Sequence, residues 1–210
     1  MRRQASVMMS LRGLAVLAAL ALVVPVAARE AAAAEPTTQL RVQINRVLRV
    51  LEDPNLKSPD KAKERRAAMR GVANDIFDFT ETSKRALGRH WAARTPAERE
   101  QFVQLFADVL ERSYISKVEL YGGETIEYAG DTVDGDQSAV NTRIVTRQGL
   151  RVPIQYRMQR KGERWLVYDV IIEGVSLVAN YRSQFYKIIQ TSSFEELVKK
   201  MKTRQEELGA

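Results

Sequence analysis

Three residues in this chain have the types that acyl-transfer chemistry uses: Ser176, His90 and Asp169. In Gly174-Val175-Ser176-Leu177-Val178 the serine sits at a strand-to-helix corner, where a nucleophile elbow would hold it. A histidine backed by a carboxylate would activate it. The spacing argues against that use. The final glycine of the pattern is replaced by Val178, and His90, the single histidine, precedes the serine instead of following it. Ser176 equally fits the N-cap of the helix that follows, accepting from its first free amides, and this is the reading we carry forward. One histidine beside Trp91 cannot make a histidine metal cluster. Asp169 lies in an otherwise apolar run and needs an Arg or Tyr from a neighbouring strand, because an unpaired buried charge is costly. A small hydrolase or isomerase using Asp169, Ser176 or His90 stands as the alternative. No phosphate-binding loop, dinucleotide fingerprint or calcium loop supports it.

The elements that must position these residues lie between Trp165 and Phe185. From Trp165 to Ile172 the chain is apolar apart from Asp169 and rich in aromatic and β-branched side chains, which predicts a central strand covered on both faces. Glu173-Gly174 reads as a break. The helix from Ser176 puts Val178, Tyr181, Phe185, Ile188 and Ile189 on one stripe, with Arg182, Gln184 and Lys187 elsewhere. Strand and helix would be the wall and lid of one apolar space.

The first 34 residues read as an address. Arg2, Arg3 and Arg12 precede an apolar run from Leu14 to Val26, with cleavage options after Ala28 or Ala34, so a signal peptide over 1–34 and an exported, periplasmic protein are expected. Cysteine is absent, which excludes disulfides, thiol catalysis, a lipid-modified cysteine and cysteine-containing zinc sites. Residues 35–210 must then rest on a hydrophobic core as a single domain. Removing the four Arg and one Glu of residues 1–34 from 33 basic and 26 acidic residues leaves 29 and 25, a net +4. That mild, dispersed excess suits weak attraction to anionic surfaces and gives no nucleic-acid footprint.

Helical spacing covers residues 38–120. Leu40, Ile44, Val47, Leu48 and Leu51 share a face up to Pro54, and Ser58-Pro59 starts a second helix whose charged run, Lys61 to Arg66, reads as a solvated face. Thr95-Pro96-Ala97-Glu98 is a capping box opening a long helix with Phe102, Leu105, Phe106, Val109 and Leu110 on one side. Over 124–172 the period becomes two, with turns at Asp134-Gly135-Asp136 and Lys161-Gly162, giving four strands in an antiparallel meander. Pro153, which cannot donate to a ladder, predicts an edge or irregular position. Helices return over 176–207, the last with a second capping box at Ser193 and Glu196.

Several blocks together resemble the MlaC family: Phe77-Asp78-Phe79, Ala86-Leu87-Gly88-Arg89-His90-Trp91, the Thr95-Pro96 helix with Leu110-Glu111-Arg112-Ser113-Tyr114, and above all Val170 to Phe185. The resemblance implies an α+β fold, a curved four-stranded antiparallel sheet wrapped by N- and C-terminal helices around an apolar cavity. It implies no enzyme and no cofactor, with phospholipid as cargo, its acyl chains inside and its head group outside. The implied partners are an inner-membrane ABC-transport complex and an outer-membrane lipoprotein/porin complex, between which a monomeric carrier shuttles lipid and maintains outer-membrane asymmetry. Hopanoid-linked proteins belong to the same broader family, so the cargo stays open between phospholipid and hopanoid. An adaptor with a filled core, which binds transporter subunits and no lipid, stands as a further alternative. The residues expected to line the cavity are Phe79, Phe106, Leu110, Val152, Ile154, Tyr156, Val170, Ile172, Val175, Val178, Tyr181 and Phe185, with Arg89 and Arg182 serving the head group or a partner surface.

Overall fold

Prolines and caps place most element boundaries in this chain, whose computed structural model describes residues 35–209. The expected signal peptide lies outside the described residues. Pro36 opens α1 (Pro36–Glu52), and Pro54 starts a single 3-10 turn instead of continuing it. Ser58-Pro59 begins another such turn, which runs into α2 (Ala62–Ile76). Asp78 caps α3 (Phe79–Leu87) by accepting from the Glu81 amide. The capping box forms at α4 (Pro96–Val118): the Thr95 hydroxyl accepts from the Glu98 amide, and the Glu98 carboxylate accepts from the Thr95 amide.

The period-two segment folds as β1 (Thr125–Asp134), β2 (Gln137–Val145), β3 (Arg151–Lys161) and β4 (Arg164–Ile172), an antiparallel meander in chain order. The sheet has five strands, not the expected four. Glu173 and Gly174 both adopt the left-handed region, with φ 50° and 84°, and so form a two-residue hairpin turn where a break was expected. Val175–Ser176 returns as β5, pairing with Ile172 and Ile171. It leads directly into α5 (Leu177–Thr191), and α6 (Phe194–Gly209) follows.

The apolar run predicts a central strand, but β4 lies second from the sheet edge. Opposite β3 it pairs only with the two residues of β5 and, through one bridge at Val167, with Phe77. Its apolarity comes from its faces, since Trp165, Val167, Tyr168 and Asp169 are all buried. Helices α1, α2, α3 and α5 all contact it. A bulge makes two-sided burial possible: Arg157 faces Asp169 and Met158 faces Val167, leaving Tyr168 as an extra residue. Trp165 and Val167 thereby share the inner face with Val170 and Ile172, and Asp169 falls on the other. Pro153 is inside the sheet, opposite Arg143, yet it costs no ladder bond. Its carbonyl accepts from the Glu173 amide, so its nitrogen faces the same side, where β4 has ended.

Two apolar clusters hold these layers. One is helical: Leu87, Phe102, Phe106, Val109, Val178, Phe185, Phe194, Leu197 and Met201 from α3 to α6. The other joins Leu40 of α1 and Val72 and Ile76 of α2 to Val140, Met158, Trp165 and Val167 of the sheet. The charged run of α2 is not wholly a solvated face. Arg65 and Arg66 reach Glu119 at 2.9 and 3.5 Å, and farther along α2 Arg70 reaches Glu111 of α4 at 2.6 Å. With several charges in one network and Glu119 largely shielded, these pairs tie α2 to the C-terminal half of α4.

Candidate functional site

The residues that first suggested catalysis form a structural joint. The Ser176 hydroxyl donates to Asp169 Oδ2 at 2.7 Å and accepts from the Ala179 amide at 3.0 Å. Asp169 Oδ1 accepts from the Val178 amide at 3.1 Å, and Arg157 on β3 lies 3.6 Å from Oδ2. The expected strand partner for Asp169 is therefore Arg157, and the first turn of α5 is a second one. A carboxylate at a helix N-terminus also opposes the positive end of the helix dipole. His90 packs elsewhere, against Tyr186 with ring centroids 5.9 Å apart. Tyr186 lies some ten residues along α5 from Ser176, roughly 15 Å at the rise of an α-helix. The His90 imidazole is pushed below its ordinary value by burial and by Arg89 and Arg94. Ser176 is a cap held in place by a buried carboxylate.

The inner face of the sheet has a different character. Strand register arranges its side chains in rows. Ser138, Met158 and Val167 form one, and Val140, Tyr156 and Val170 the next. Tyr128, Thr142, Ile154 and Ile172 form a third, and Ile126, Ile144 and Val152 the last. Coverage fades along this series. The first row is fully buried beneath α1 and α2, whereas all three residues of the last are only half-buried. Around that less covered end the chain exposes large apolar side chains: Leu120 at 80%, Leu150 at 62% and Val175 at 59%. Leu120 lies in the α4–β1 connection, Leu150 in the β2–β3 hairpin and Val175 on β5, and strand direction brings all three segments to the same end of the sheet. Arg147 of the hairpin donates to the Gly122 carbonyl, tying two of these segments together.

The expected lining residues divide between the two regions. Phe106, Val178 and Phe185 are buried in the helical cluster, with Leu110 and Tyr181 packed on it. Tyr156 and Val170 pack on the sheet cluster, while Ile154, Val152 and Ile172 continue the inner face beyond it. Phe79 stacks on Phe77 with centroids 5.6 Å apart, and Val175 is exposed at the rim. Arg89 donates to the Tyr186 hydroxyl at 2.8 Å, and Arg182 donates to the Arg85 carbonyl at 2.7 Å. Both arginines thus lie at the α3–α5 corner and are exposed. Ile126, Tyr128 and Ile144 of the inner face, and Tyr114 of α4, were not singled out from sequence. The two-residue turns at 135–136 and 162–163 set the register only next to the turns, and the bulges at Tyr128/Asp131 and Arg157/Met158 then shift it, so turn chemistry alone does not find these residues. Burial raises the phenols of Tyr114 and Tyr128, and pushes that of Tyr156 up to about 12.

A family model described as MlaC protein matches residues 41–203. The chain is 25% identical over 138 residues to the intermembrane phospholipid transport system binding protein MlaC of Haemophilus influenzae, covering 62% of this chain. It is 25% identical over 131 residues to the toluene tolerance protein ttg2D of Pseudomonas putida, covering 59% of this chain. These matches span 64% and 58% of the relatives' own lengths, less than two thirds of either. Among solved structures, the phospholipid-binding protein of Ralstonia solanacearum in complex with a phospholipid is similar at a TM-score of 0.72 and 25% identity. That similarity covers 84% of this chain and all of the other.

Proposed function

The chain belongs to the MlaC family, and from that premise we propose that it carries phospholipid, holding the acyl chains against the less covered end of its inner sheet face. The observation that carries this reading is the fading coverage of the inner-face rows, from fully buried Met158 and Val167 to half-buried Ile126, Ile144 and Val152, with exposed Leu120, Leu150 and Val175 around the open end. Ordinary core residues would not end in an exposed apolar rim. The Ralstonia relative, similar over its whole length, was solved with a phospholipid bound, and the Haemophilus relative is by name the binding protein of a phospholipid transport system.

Magnitudes favour an apolar site over a charged one. Two acyl chains offer about 30 methylenes at ~0.8 kcal/mol each, a gross driving force above ~20 kcal/mol. A basic residue near an anionic surface contributes only about 1 kcal/mol. Burial of the chains supplies the affinity, and charge is left to steer docking. The lining then draws on Val152, Ile154, Tyr156, Val170, Ile172 and Val175 from the sheet side. Phe79, Leu110 and Tyr181 border it from the helices, while Phe106, Val178 and Phe185, also expected there, are closed into the helical cluster. Arg89 and Arg182 form a basic surface for a partner at the α3–α5 corner. The carrier works in the periplasm after export, between an outer-membrane lipoprotein/porin complex and an inner-membrane ABC-transport complex. No helix among the described residues is long and apolar enough to cross a membrane.

Native mass spectrometry with lipid extraction, on protein purified from its own export compartment, tests the reading. A discrete co-purifying mass that extracts as diacyl phospholipid is the expected result. A hopanoid mass would change the cargo, and a lipid-free mass from gently handled protein would turn the inner face into ordinary core.

A further inference from the structure

Polar side-chain atoms are scarce on the inner face, and two of them, the hydroxyls of Ser138 and Tyr128, have nothing to bond among the described residues. Ser138 lies in the fully covered first row, Tyr128 in the row next to the open end. The Tyr128 hydroxyl is buried without a hydrogen-bond partner among the described residues. Folding normally satisfies such a group, because it can both donate and accept. Its cross-strand neighbour Thr142 already donates to the Ile154 carbonyl, and Ile154 and Ile172, next in the same row, carry no polar side-chain atoms. Over the outer side of the ring lies Arg41 of α1, its guanidinium carbon 4.2 Å from the ring centroid. Arg41 is exposed, and no carboxylate among the described residues pairs with it. An exposed cation thus sits against the ring that carries a buried, unbonded hydroxyl, beside the isoleucines of the inner face.

A glycerophospholipid presents the matching groups side by side: phosphate, ester carbonyls, alkyl chains. We propose that Arg41 and Tyr128 form a subsite that reads the lipid's linkage region, with Arg41 facing the phosphate and the Tyr128 hydroxyl donating to an acyl-ester carbonyl oxygen. This rests on the lipid-carrier reading and refines it, since it makes the protein selective for ester-linked chains. Burial raises the Tyr128 phenol above its ordinary value, which keeps it a proton donor throughout the physiological range. Ether-linked lipids and polycyclic hydrocarbons lack the acceptor. They would leave the hydroxyl unbonded, and a missing partner for a buried donor is what rejects a close analogue.

The test uses the delipidated protein without residues 1–34 and a competing fluorescent lipid. It compares a diacyl phosphatidylglycerol with the dialkyl ether of the same head group and chain lengths. The wild type is expected to bind the ester about fivefold more tightly, the factor that one net hydrogen bond carries. Tyr128→Phe should lose that preference by weakening ester binding alone, and Arg41→Gln should weaken both lipids alike. Equal binding of ester and ether by the wild type, or an unchanged preference in Tyr128→Phe, overturns the proposal while the carrier reading stands. Binding of neither lipid by the wild type removes the carrier reading itself. Unliganded Tyr128→Phe should unfold at the same temperature as the wild type or higher, because it removes an unpartnered oxygen and keeps the ring. A lower midpoint would show that the hydroxyl is satisfied within the fold, and would also overturn the proposal.

Discussion

The helical cluster and the far end of the inner sheet face are built from similar residues and behave differently. Around Phe102, which is 0% exposed, Phe106, Phe185 and Phe194 pack with ring centroids 5.6 to 6.1 Å away, and none of the four is more than 6% exposed. Ile126, Ile144 and Val152 are equally apolar, yet each keeps part of its surface uncovered. The difference lies in what covers them. Helices α4, α5 and α6 enclose the first region from several sides, while α1 and α2 shield only the nearer rows of the second. Apolar identity makes a residue fit for core or for ligand, and the layer above it decides which.

Five measurements would break or sharpen that contrast, the largest effect first. Phe102→Ala should destabilise the protein by about 3 to 5 kcal/mol in urea melts, because its cavity is walled by rings that cannot collapse. A cost near 1 kcal/mol would mean that the helical cluster is as loosely covered as the sheet end. Asp169→Ala tests the joint between the regions. It leaves the Val178 amide and the Ser176 hydroxyl without their acceptor, at a cost of about 2 to 3 kcal/mol by the same assay. An unchanged urea midpoint would show that α5 holds its place without the joint.

The third measurement is alkaline stability. Burial raises the Tyr156 phenol from 10.0 to about 12, so between these values the folded state holds a proton that the unfolded state releases. Stability from this group is complete below pH 10 and is lost as pH rises through about 12, amounting to about 2 to 3 kcal/mol. Tyr156→Phe should flatten that limb of the pH–stability curve, and a limb of unchanged slope would locate the titration in other groups. Fourth, Ser176→Ala should cost about 1 kcal/mol as a lost cap and leave lipid transfer intact. Abolished transfer in a fully folded Ser176→Ala protein would revive the catalytic reading. Last and smallest in stability, Ile144→Val should shift the unfolding free energy by less than about 1 kcal/mol, since it removes one methylene and part of the side chain is already in water. It should still speed the release of bound lipid, and release at the wild-type rate would remove that row from the proposed site.

What was legible in sequence was local. The caps at Thr95 and Ser176 and the start of α6 after Ser193 follow from hydroxyls three residues ahead of the amides they serve. Pro59 marks a helical start through its fixed φ, and Pro54 follows the end of α1 as expected. The meander followed from alternation and turn residues. The missed strand β5 depends on Glu173 taking a positive φ, which a residue with a Cβ seldom does, so Glu-Gly looked like an interruption. The solvated reading held for Lys63, Glu64 and Arg66 and failed at Arg65, because its partner Glu119 is far away in the chain. Coverage of the inner face was beyond reach for the same reason. Val140 and Ile144 are alike and close neighbours on β2, yet the first is 0% exposed and the second half-buried. Nothing in their own sequence differs enough to say so, because the distinction is made by Leu40, Val72 and Ile76 from other elements.

The extra residue in β4 also governs how the chain can change in length. Side chains along a strand alternate, so Tyr168 acts as a parity switch: before it Trp165 and Val167 face inward, and after it Asp169 faces outward while Val170 and Ile172 face inward. Losing one residue here, or gaining one, would turn one half of the strand over, exposing either the Trp165 side or the Ile172 side and swinging Asp169 away from α5. Substitutions in this segment can be absorbed one at a time, but an odd-numbered insertion or deletion cannot. Drift in length should therefore collect in the loops that end at Gly123 and Gly149 and leave residues 165–176 at constant length.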